Sequence, residues 1–228
     1  MAIFAGFFSQ NTMVASTFGL YGIYIGYFAE EFSASRTVAS TGLPIVLLTM
    51  GLVNPFMGVL LGRFSLARIL QTGALLLGFG FFLASVSASV VGVLACFIII
   101  GVGAACMGPV PCTALAASWF EESRGRAIGF VNLPVGAVLM PPLATWLFQV
   151  IGWRVSFALL AALLLALIPL FGCVSTGPYQ EPPRSSGPGA KSLFASSPMI
   201  KTVGFWVLIV SVGLVLASGS TRLVHIVE

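Results

Sequence analysis

The sequence contains no aspartate and a single histidine, His225. A zinc protease with two histidines on one helix and an intramembrane protease with paired aspartates are therefore excluded, because both need residues that are missing. The four cysteines, Cys96, Cys106, Cys112 and Cys173, lie in apolar runs without the spacing of a zinc site or a disulfide framework. We expect no enzymatic activity, no metal and no cofactor, and we interpret the cysteines as small packing residues.

Charge is scarce throughout the chain. Charged residues make up 7% of the 228 residues, hydrophobic residues make up 58%, and the mean hydropathy is +1.09. A soluble domain carries about 25% charged residues, so this chain lacks the polar surface that water requires and is predicted to be an integral membrane protein. A spanning helix needs about 20 apolar residues, and the net charge of +4 is explained by loop residues rather than by nucleic acid, for which we expect no role.

Apolar stretches between charges and turn residues predict an all-α fold. The predicted helices lie near residues 3–29, 37–62, 69–88, 90–118, 127–150, 155–174 and 202–225. Gly, Pro and Ser dominate the stretch from Ser175 to Ser192, which cannot bury enough apolar surface to become ordered. We therefore predict three parts: a six-helix transmembrane bundle at 1–174, a linker at 175–201 and a seventh transmembrane helix at 202–228.

Basic residues predict the orientation in the membrane. Seven of them fall on one side of the predicted helices: Arg63, Arg68, Arg124, Arg126, Arg184, Lys191 and Lys201. The other side carries Arg36 and Arg154. Because basic loop residues are retained on the cytoplasmic side, we predict a multi-pass protein of the plasma or inner membrane whose N-terminus and linker are cytoplasmic.

The first predicted helix has two chemically distinct faces at about 100° per residue. One face carries the polar residues Gln10, Thr17, Tyr21 and Tyr24, and Asn11 lies beside this face and is grouped with it. Small residues share the opposite face: Ala15, Gly19, Gly22 and Gly26. A polar face at membrane depth is expensive unless it meets protein or water, so we predict that it lines a substrate cavity and that the small face packs against a helix. Alternatively, the polar groups only bond to neighbouring helices.

Helix four contains glycines and prolines near its centre, between Gly101 and Cys112. Pro109 and Pro111 each remove a backbone donor, so we predict a kink or an unwound turn. Such backbone is tolerated in a membrane only where it is buried or lines a cavity. We predict that Gly108, Pro109, Pro111 and, in helix five, Asn132 contribute to the cavity. Alternatively, the prolines produce only a packing kink. Asn54 and Asn132 would then serve only to replace backbone hydrogen bonds that nearby prolines leave unmade.

The loop after helix two, from Gly58 to Arg68, resembles the signature loop of the major facilitator superfamily, in which a glycine precedes an Asp-Arg pair and further basic residues. Gly58, Arg63 and Arg68 stand at family positions. Gly62 stands where the family has aspartate, and Ser65 stands where it has a second glycine. The resemblance implies that Gly58, Arg63 and Arg68 act in topology and cytoplasmic gating, without the family's charge-paired latch.

Further motifs are similar to one branch of that superfamily, the oxalate/formate antiporters and monocarboxylate transporters. The motifs are Glu31-Phe32, Trp119-Phe120, Arg124-Gly125-Arg126 and Gly152-Trp153-Arg154. The resemblance implies a secondary transporter that works by alternating access and carries small organic anions such as monocarboxylates, oxalate or formate. Trp119, Arg124, Gly125 and Arg126 would contribute to gating and topology. Twelve helices in two halves are implied, of which this chain would supply the first half, the linker and helix seven.

Two other interpretations remain open. A seven-helix receptor fits the number of helices, but a cytoplasmic N-terminus disfavours it. A truncated or half-size membrane protein without transport activity would need a partner half or would form a homodimer, because one face of the bundle would otherwise be uncovered. The expected partners are the lipid bilayer, a small organic anion, and either a missing C-terminal half or a second copy of the chain.

Overall fold

A computed structural model describes residues 2–174, Gly177, Val207 and Ser211, and the regular structure in this part of the chain is helical. In chain order the elements are α1 (Ala2–Val14), a π-helical segment (Ala15–Gly19), α2 (Tyr21–Glu31), α3 (Arg36–Ala39), α4 (Gly42–Arg63), α5 (Leu66–Val86), α6 (Val90–Met107), α7 (Pro109–Trp119), α8 (Arg124–Val131), α9 (Val135–Ala166) and α10 (Ile168–Gly172). The predicted linker at 175–201 and the seventh helix at 202–228 fall outside the described residues, apart from the three named above.

Four stretches of this part are long and apolar enough to cross a membrane. They are residues 36–63, 66–86, 90–119 and 124–172. The predicted all-α membrane fold is therefore confirmed, whereas the number of crossings stays a prediction. The first predicted helix is divided by the π-helical segment, whose i→i+5 bonding was not anticipated.

The longest stretch is divided at Gly152, which lies inside α9 with φ 79° and ψ 160°. A positive φ of this size suits glycine because glycine has no Cβ. The chain departs from helical geometry at this single residue, so α9 consists of two helices joined at a kink. The boundary predicted between residues 150 and 155 lies at this point.

Serine side chains start three of the helices. Ser35 precedes α3, Ser65 precedes α5 and Ser89 precedes α6, and each has extended backbone geometry. Each Oγ accepts a hydrogen bond from the backbone N–H three residues ahead, at 3.3, 3.4 and 3.1 Å respectively. The first N–H groups of a helix lack partners within it, so these caps explain where the helices begin.

The interior of the bundle is built on close approach between α5 and α6. A Cβ placed on Gly103 would lie 2.6 Å from the backbone nitrogen of Leu77, and one placed on Gly80 would lie 2.6 Å from Cγ1 of Ile100. Such distances are shorter than real Cβ contacts, so the two helices could not approach this closely with larger residues. In lipid, where packing replaces the hydrophobic driving force between helices, small residues stabilise such pairs.

Candidate functional site

The polar face of the first span points into the bundle. Its members are Gln10, Asn11, Thr17, Tyr21 and Tyr24, and each is at most 8% exposed. The exposed positions of the span are Phe4, Phe8, Gly26, Glu30 and Glu31. This differs from the expectation of a polar face open to a cavity, because periodicity separates two faces without showing what each one meets. A substrate contact for these five residues stays a prediction.

The small face is divided between packing and open space. A Cβ on Gly19 would lie 2.7 Å from the Cβ of Met140 in α9, so Gly19 packs as expected. A Cβ on Gly26 would meet nothing within 4 Å. The expected helix contact is therefore present at Gly19 and absent at Gly26 in the part of the chain that is described.

Asn11 joins the first span to the start of α9. Its Oδ1 accepts a hydrogen bond of 2.7 Å from the backbone N–H of Gly136, and its Nδ2 donates to the carbonyl of Phe7 at 3.0 Å. Pro134, which precedes α9, provides no side-chain cap. Gly136 is the second residue of α9, so its N–H has no partner within the helix. Asn11 supplies that partner from the first span, so it caps α9 although it is distant from that helix in the sequence.

Tyr21 contacts the junction between α3 and α4, and Tyr24 packs against aromatic rings of α2 and α6. The Tyr21 hydroxyl donates to the carbonyl of Ser40 at 2.7 Å. The Tyr24 ring stacks on Phe28 at 4.8 Å and lies 5.4 Å from Phe97 between ring centroids. These contacts favour a role in packing between helices, which was the alternative to a cavity wall.

Two buried polar atoms on this face have no hydrogen-bond partner within residues 2–174: Oε1 of Gln10 and the hydroxyl of Tyr24. Thr17, in contrast, is satisfied locally, since its Oγ1 donates to the carbonyl of Met13 at 2.6 Å. An unpaired buried polar group carries a desolvation cost of about 1–3 kcal/mol. Gln10 and Tyr24 are therefore the members of the polar face that retain free bonding capacity.

The helix formed by α6 and α7 is broken at Gly108, as predicted. Gly108 has φ −79° and ψ −163°, an extended geometry, and Pro109 opens α7 on its far side. Pro111 has no N–H, so it cannot donate to the carbonyl of Met107 four residues earlier. That carbonyl instead accepts from Oγ of Ser9 and from Sγ of Cys112, both at 3.2 Å. The break is thus supported by side chains of α1 and α7.

The asparagines beside the prolines behave differently. Asn132 follows α8, and its Nδ2 donates to the carbonyl of Ile128 at 2.9 Å. That carbonyl also accepts from the backbone N–H of Asn132 at 3.1 Å, so it is not one that a proline leaves open. Asn54, which precedes Pro55 inside α4, has a buried Oδ1 without a partner among the described residues. Backbone repair by Asn54 is therefore not observed.

A polar cluster connects three helix ends that the sequence leaves far apart. Nη2 and Nε of Arg154 each lie 2.8 Å from Oε1 of Glu31, and the indole N–H of Trp153 donates to Oε2 of the same carboxylate. Nη1 of Arg154 donates to the carbonyl of Ser85, at the end of α5, at 2.8 Å. The guanidinium also lies 4.6 Å from the Trp153 ring centre, within cation–π distance.

Sequence reasoning noted Glu31 and the Gly152-Trp153-Arg154 motif but missed this pairing. The opposite charges at two predicted helix ends on the same side of the membrane were the available signal.

The sequence profile of the Major Facilitator Superfamily matches residues 6–226. The chain belongs to the major facilitator superfamily. It is accordingly an integral, multi-pass membrane protein.

Relatives in the superfamily are longer than this chain. The uncharacterized MFS-type transporter YcxA of Bacillus subtilis (strain 168) is 27% identical over 146 residues, which are 62% of this chain and 36% of YcxA. Crystal structures of the peptide transporter POT, one of a mutant with alafosfalin and one with sulfate, give TM-scores of 0.63 and 0.59 at 16% and 17% identity. Each alignment covers 96% of this chain and 46% of the solved one, so the chain spans about half the length of these transporters.

The residues that correspond to the superfamily signature loop lie at the surface. Arg63 and Arg68 are exposed, and neither pairs with a carboxylate within residues 2–174. Gly58 is exposed as well, and a Cβ there would meet nothing within 4 Å, so Gly58 makes no close helix contact with the described residues. Charge pairing at this loop is therefore not formed by the part of the chain that is described.

The second group of motif residues lies around the loop between α7 and α8. Trp119 is 38% exposed at the end of α7, and Gly125 and Arg126 are exposed in the first turn of α8. Arg124 is half-buried, and its Nε has no hydrogen-bond partner in the described part. Their roles in gating and topology stay predictions.

Proposed function

We propose that this chain is the N-terminal half of a secondary transporter that carries small organic anions by alternating access. We also propose that it is a carrier rather than an enzyme. Membership of the major facilitator superfamily supports both proposals, as do relatives and structural neighbours named as transporters. The chain corresponds to 46% of the solved transporters, so a second half is required for a complete carrier.

The main observation behind the proposed second half is a face of α4 that the described residues leave uncovered. In the most apolar 18-residue segment of residues 36–63, only 17% of the residues are buried, compared with 56% in the corresponding segment of α5. Leu48 and Leu52 are 68% and 71% exposed, and a Cβ on Gly51 or Gly58 would meet nothing within 4 Å. Glycines allow helix backbones to approach closely in lipid. We infer that the missing C-terminal half of a longer polypeptide, or a second copy of this chain, covers this face.

The substrate class rests on the motifs and on the distribution of charge. Glu31, Trp153 and Arg154, which carry the resemblance to the oxalate/formate and monocarboxylate branch, form one cluster. The charged residues within 2–174 lie near helix ends rather than at the centres of the spans. A cation that holds a carboxylate at the midplane is therefore proposed to come from the second half. An antiport mechanism is proposed on the same resemblance.

Orientation in the membrane is proposed from the basic residues. Arg63, Arg68 and Arg126 are exposed beside loops that the positive-inside rule assigns to the cytoplasm. We propose a cytoplasmic N-terminus and linker in the plasma or inner membrane. A fluorescent protein fused to the N-terminus should then fluoresce in cells, whereas an N-terminal alkaline phosphatase fusion should be inactive. The reverse pattern would contradict the orientation and favour the receptor alternative.

Uptake into liposomes tests the transport proposal. The complete protein that contains residues 1–228 is reconstituted, and uptake of radiolabelled formate, acetate and oxalate is compared with uptake into empty vesicles. We expect carboxylate uptake that accelerates when the vesicles are preloaded with unlabelled carboxylate. Uptake of a sugar or a cation without any carboxylate would refute the substrate class and leave the fold unchanged.

Matched variants and crosslinking test the role of the uncovered face. Gly51→Trp places a large side chain on the face proposed to be covered, whereas Phe79→Trp changes an exposed position of α5. We expect the first to reduce uptake strongly and the second to leave it unchanged. Transport by the 228-residue chain alone, with crosslinking between two copies, would identify the partner as a second copy. Normal uptake by Gly51→Trp would contradict the proposed contact.

A further inference from the structure

We propose that a groove on the outside of the bundle binds one anionic phospholipid. The groove has a volume of about 660 Å³ and lies among α4, α5 and α10. Its walls include Leu60 and Phe64 of α4, Leu75 of α5 and Ile168 of α10, and Arg68 lines it as well. This volume lies within the range of about 300–1,000 Å³ that is usual for small-molecule sites.

The position of the groove fits a lipid that spans one leaflet. Arg68 belongs to the first turn of α5, directly after the capped start at Ser65. Leu75 lies seven residues further along the helix, which corresponds to about 10 Å at 1.5 Å per residue. One leaflet of hydrocarbon is about 15 Å thick, half of a bilayer core. A phosphate at Arg68 therefore places an acyl chain alongside Leu75.

Arg68 supplies the charge that complements the headgroup. It is exposed and has no carboxylate partner within residues 2–174. A guanidinium offers several donors in one plane and suits phosphate oxygens. Basic pockets between membrane helices on the cytoplasmic side recognise anionic headgroups by this chemistry.

The other polar groups of the groove are already engaged. Nε2 of Gln71 donates to the carbonyl of Ile168 at 3.2 Å, which fixes α5 to α10 at the side of the groove. Oγ1 of Thr72 donates to the carbonyl of Arg68 within α5 at 2.8 Å. Apart from the thiol of Cys106 in α6, the remaining lining is aliphatic or aromatic and suits a hydrocarbon chain. A free phosphate ion would satisfy Arg68 but leave this apolar surface unfilled, so we assign the groove to a phospholipid.

Native mass spectrometry of the detergent-solubilised chain tests the assignment. The chain is titrated with phosphatidylglycerol, with phosphatidylcholine and with inorganic phosphate. We expect one phosphatidylglycerol to be retained in preference to phosphatidylcholine, and we expect inorganic phosphate not to displace it. Equal retention of the two lipids, or displacement by inorganic phosphate, would refute an anionic lipid site.

Charge variants separate the headgroup contact from general electrostatics. Arg68→Gln should weaken phosphatidylglycerol binding about fivefold, the effect of one basic residue near a membrane surface, whereas Arg68→Lys should retain most of the binding. Arg126→Gln removes an exposed arginine that does not line the groove and serves as the matched control. Equal weakening by Arg68→Gln and Arg126→Gln would contradict the proposal.

Groove variants test the acyl-chain contact. Leu75→Trp fills the groove and should abolish retention of phosphatidylglycerol. Phe79→Trp enlarges an exposed residue one turn further along α5, outside the groove, and should retain the lipid. Circular dichroism and gel filtration confirm that each variant is folded before binding is measured. Retention by Leu75→Trp at the level of Phe79→Trp would place the lipid elsewhere.

Discussion

Helices α5 and α4 use glycine in opposite ways. On α5, Gly73 and Gly80 face α6 so closely that a Cβ on either would lie 2.7 or 2.6 Å from a neighbouring side chain. On α4, Gly51, Gly58 and Gly62 have nothing within 4 Å. Both helices are equally apolar, with mean hydropathies of 1.9 and 2.0 in their windows, so composition does not separate them. The difference lies in what each helix contacts.

This difference shows how the half-bundle is organised. The contact between α5 and α6 is complete within the described residues and makes a rigid interior. Within the described residues the contacts of α4 lie mainly on the side facing α6, where a Cβ on Gly101 would lie 2.6 Å from the Cβ of Thr49. Glycines in contact therefore stabilise the bundle itself, and open glycines mark a surface for a partner. The predictions that follow test this distinction.

The largest effect is expected for Gly103→Ala in α6. Its Cβ would lie 2.6 Å from the backbone nitrogen of Leu77 and 2.9 Å from the carbonyl oxygen of Gly73, atoms that cannot rotate away. Overpacking of this kind costs about 1–3 kcal/mol, and backbone contacts place this variant near the upper end. Thermal unfolding followed by gel filtration in detergent should show a lower midpoint. An unchanged midpoint would mean that the helices separate easily and that the interior is not rigid.

A smaller loss is expected for Glu31→Ala, which removes the carboxylate that bonds to Trp153 and Arg154. Both charged groups are partly exposed, at 36% and 39%, so solvent reduces the loss to about 1–2 kcal/mol. The neighbouring variant Glu30→Ala removes an exposed carboxylate outside this cluster and is the control. Equal midpoints for the two variants would show that glycine packing alone holds the end of α5.

Asn11→Ala removes the cap on Gly136 and should destabilise the bundle by about 1 kcal/mol, the usual effect of losing a helix cap. Thr12→Ala changes the adjacent half-buried residue without removing that bond. Urea or thermal unfolding of both variants measures the difference. Equal stability would mean that the start of α9 does not depend on the first span.

The smallest effect is expected for Gly58→Ala. Nothing lies within 4 Å of the new Cβ, and alanine favours a helix over glycine by about 1 kcal/mol, so the chain should be unchanged or slightly stabilised. Thermal unfolding checks this against Gly103→Ala. A clear loss of stability would show that the face of α4 is already covered in the isolated chain.

Local chemistry was predictable from the sequence. The break at Gly108 follows from Pro109 and Pro111, because a missing N–H acts on the helix that contains it. The division of the fifth and sixth helices near Gly152 likewise follows from local residues. In both cases the cause and the structural effect lie within a few residues of each other.

Contacts between distant residues were not predictable in the same way. The bond between Glu31 and Arg154 joins residues 123 positions apart, and the sequence offers only their opposite charges as a signal. The polar face of the first span was recognised as a group, but its neighbours depend on how α4 and α9 pack around it. The hydrogen bond that the Met107 carbonyl accepts from Ser9, 98 positions away, depends on tertiary packing too.

The π-helical segment at Ala15–Gly19 has a consequence for insertions and deletions. A π-turn uses about one residue more than an α-turn, and one residue corresponds to a rotation of about 100°. Removing one residue from this segment would convert it to a regular α-helix and leave α2 facing as it does now, whereas the same deletion in a regular helix would rotate everything beyond it by that angle. Tyr24 would therefore keep its buried position. A relative with a regular helix here should align with a one-residue gap, and its residues beyond the gap match positions one number higher in this chain.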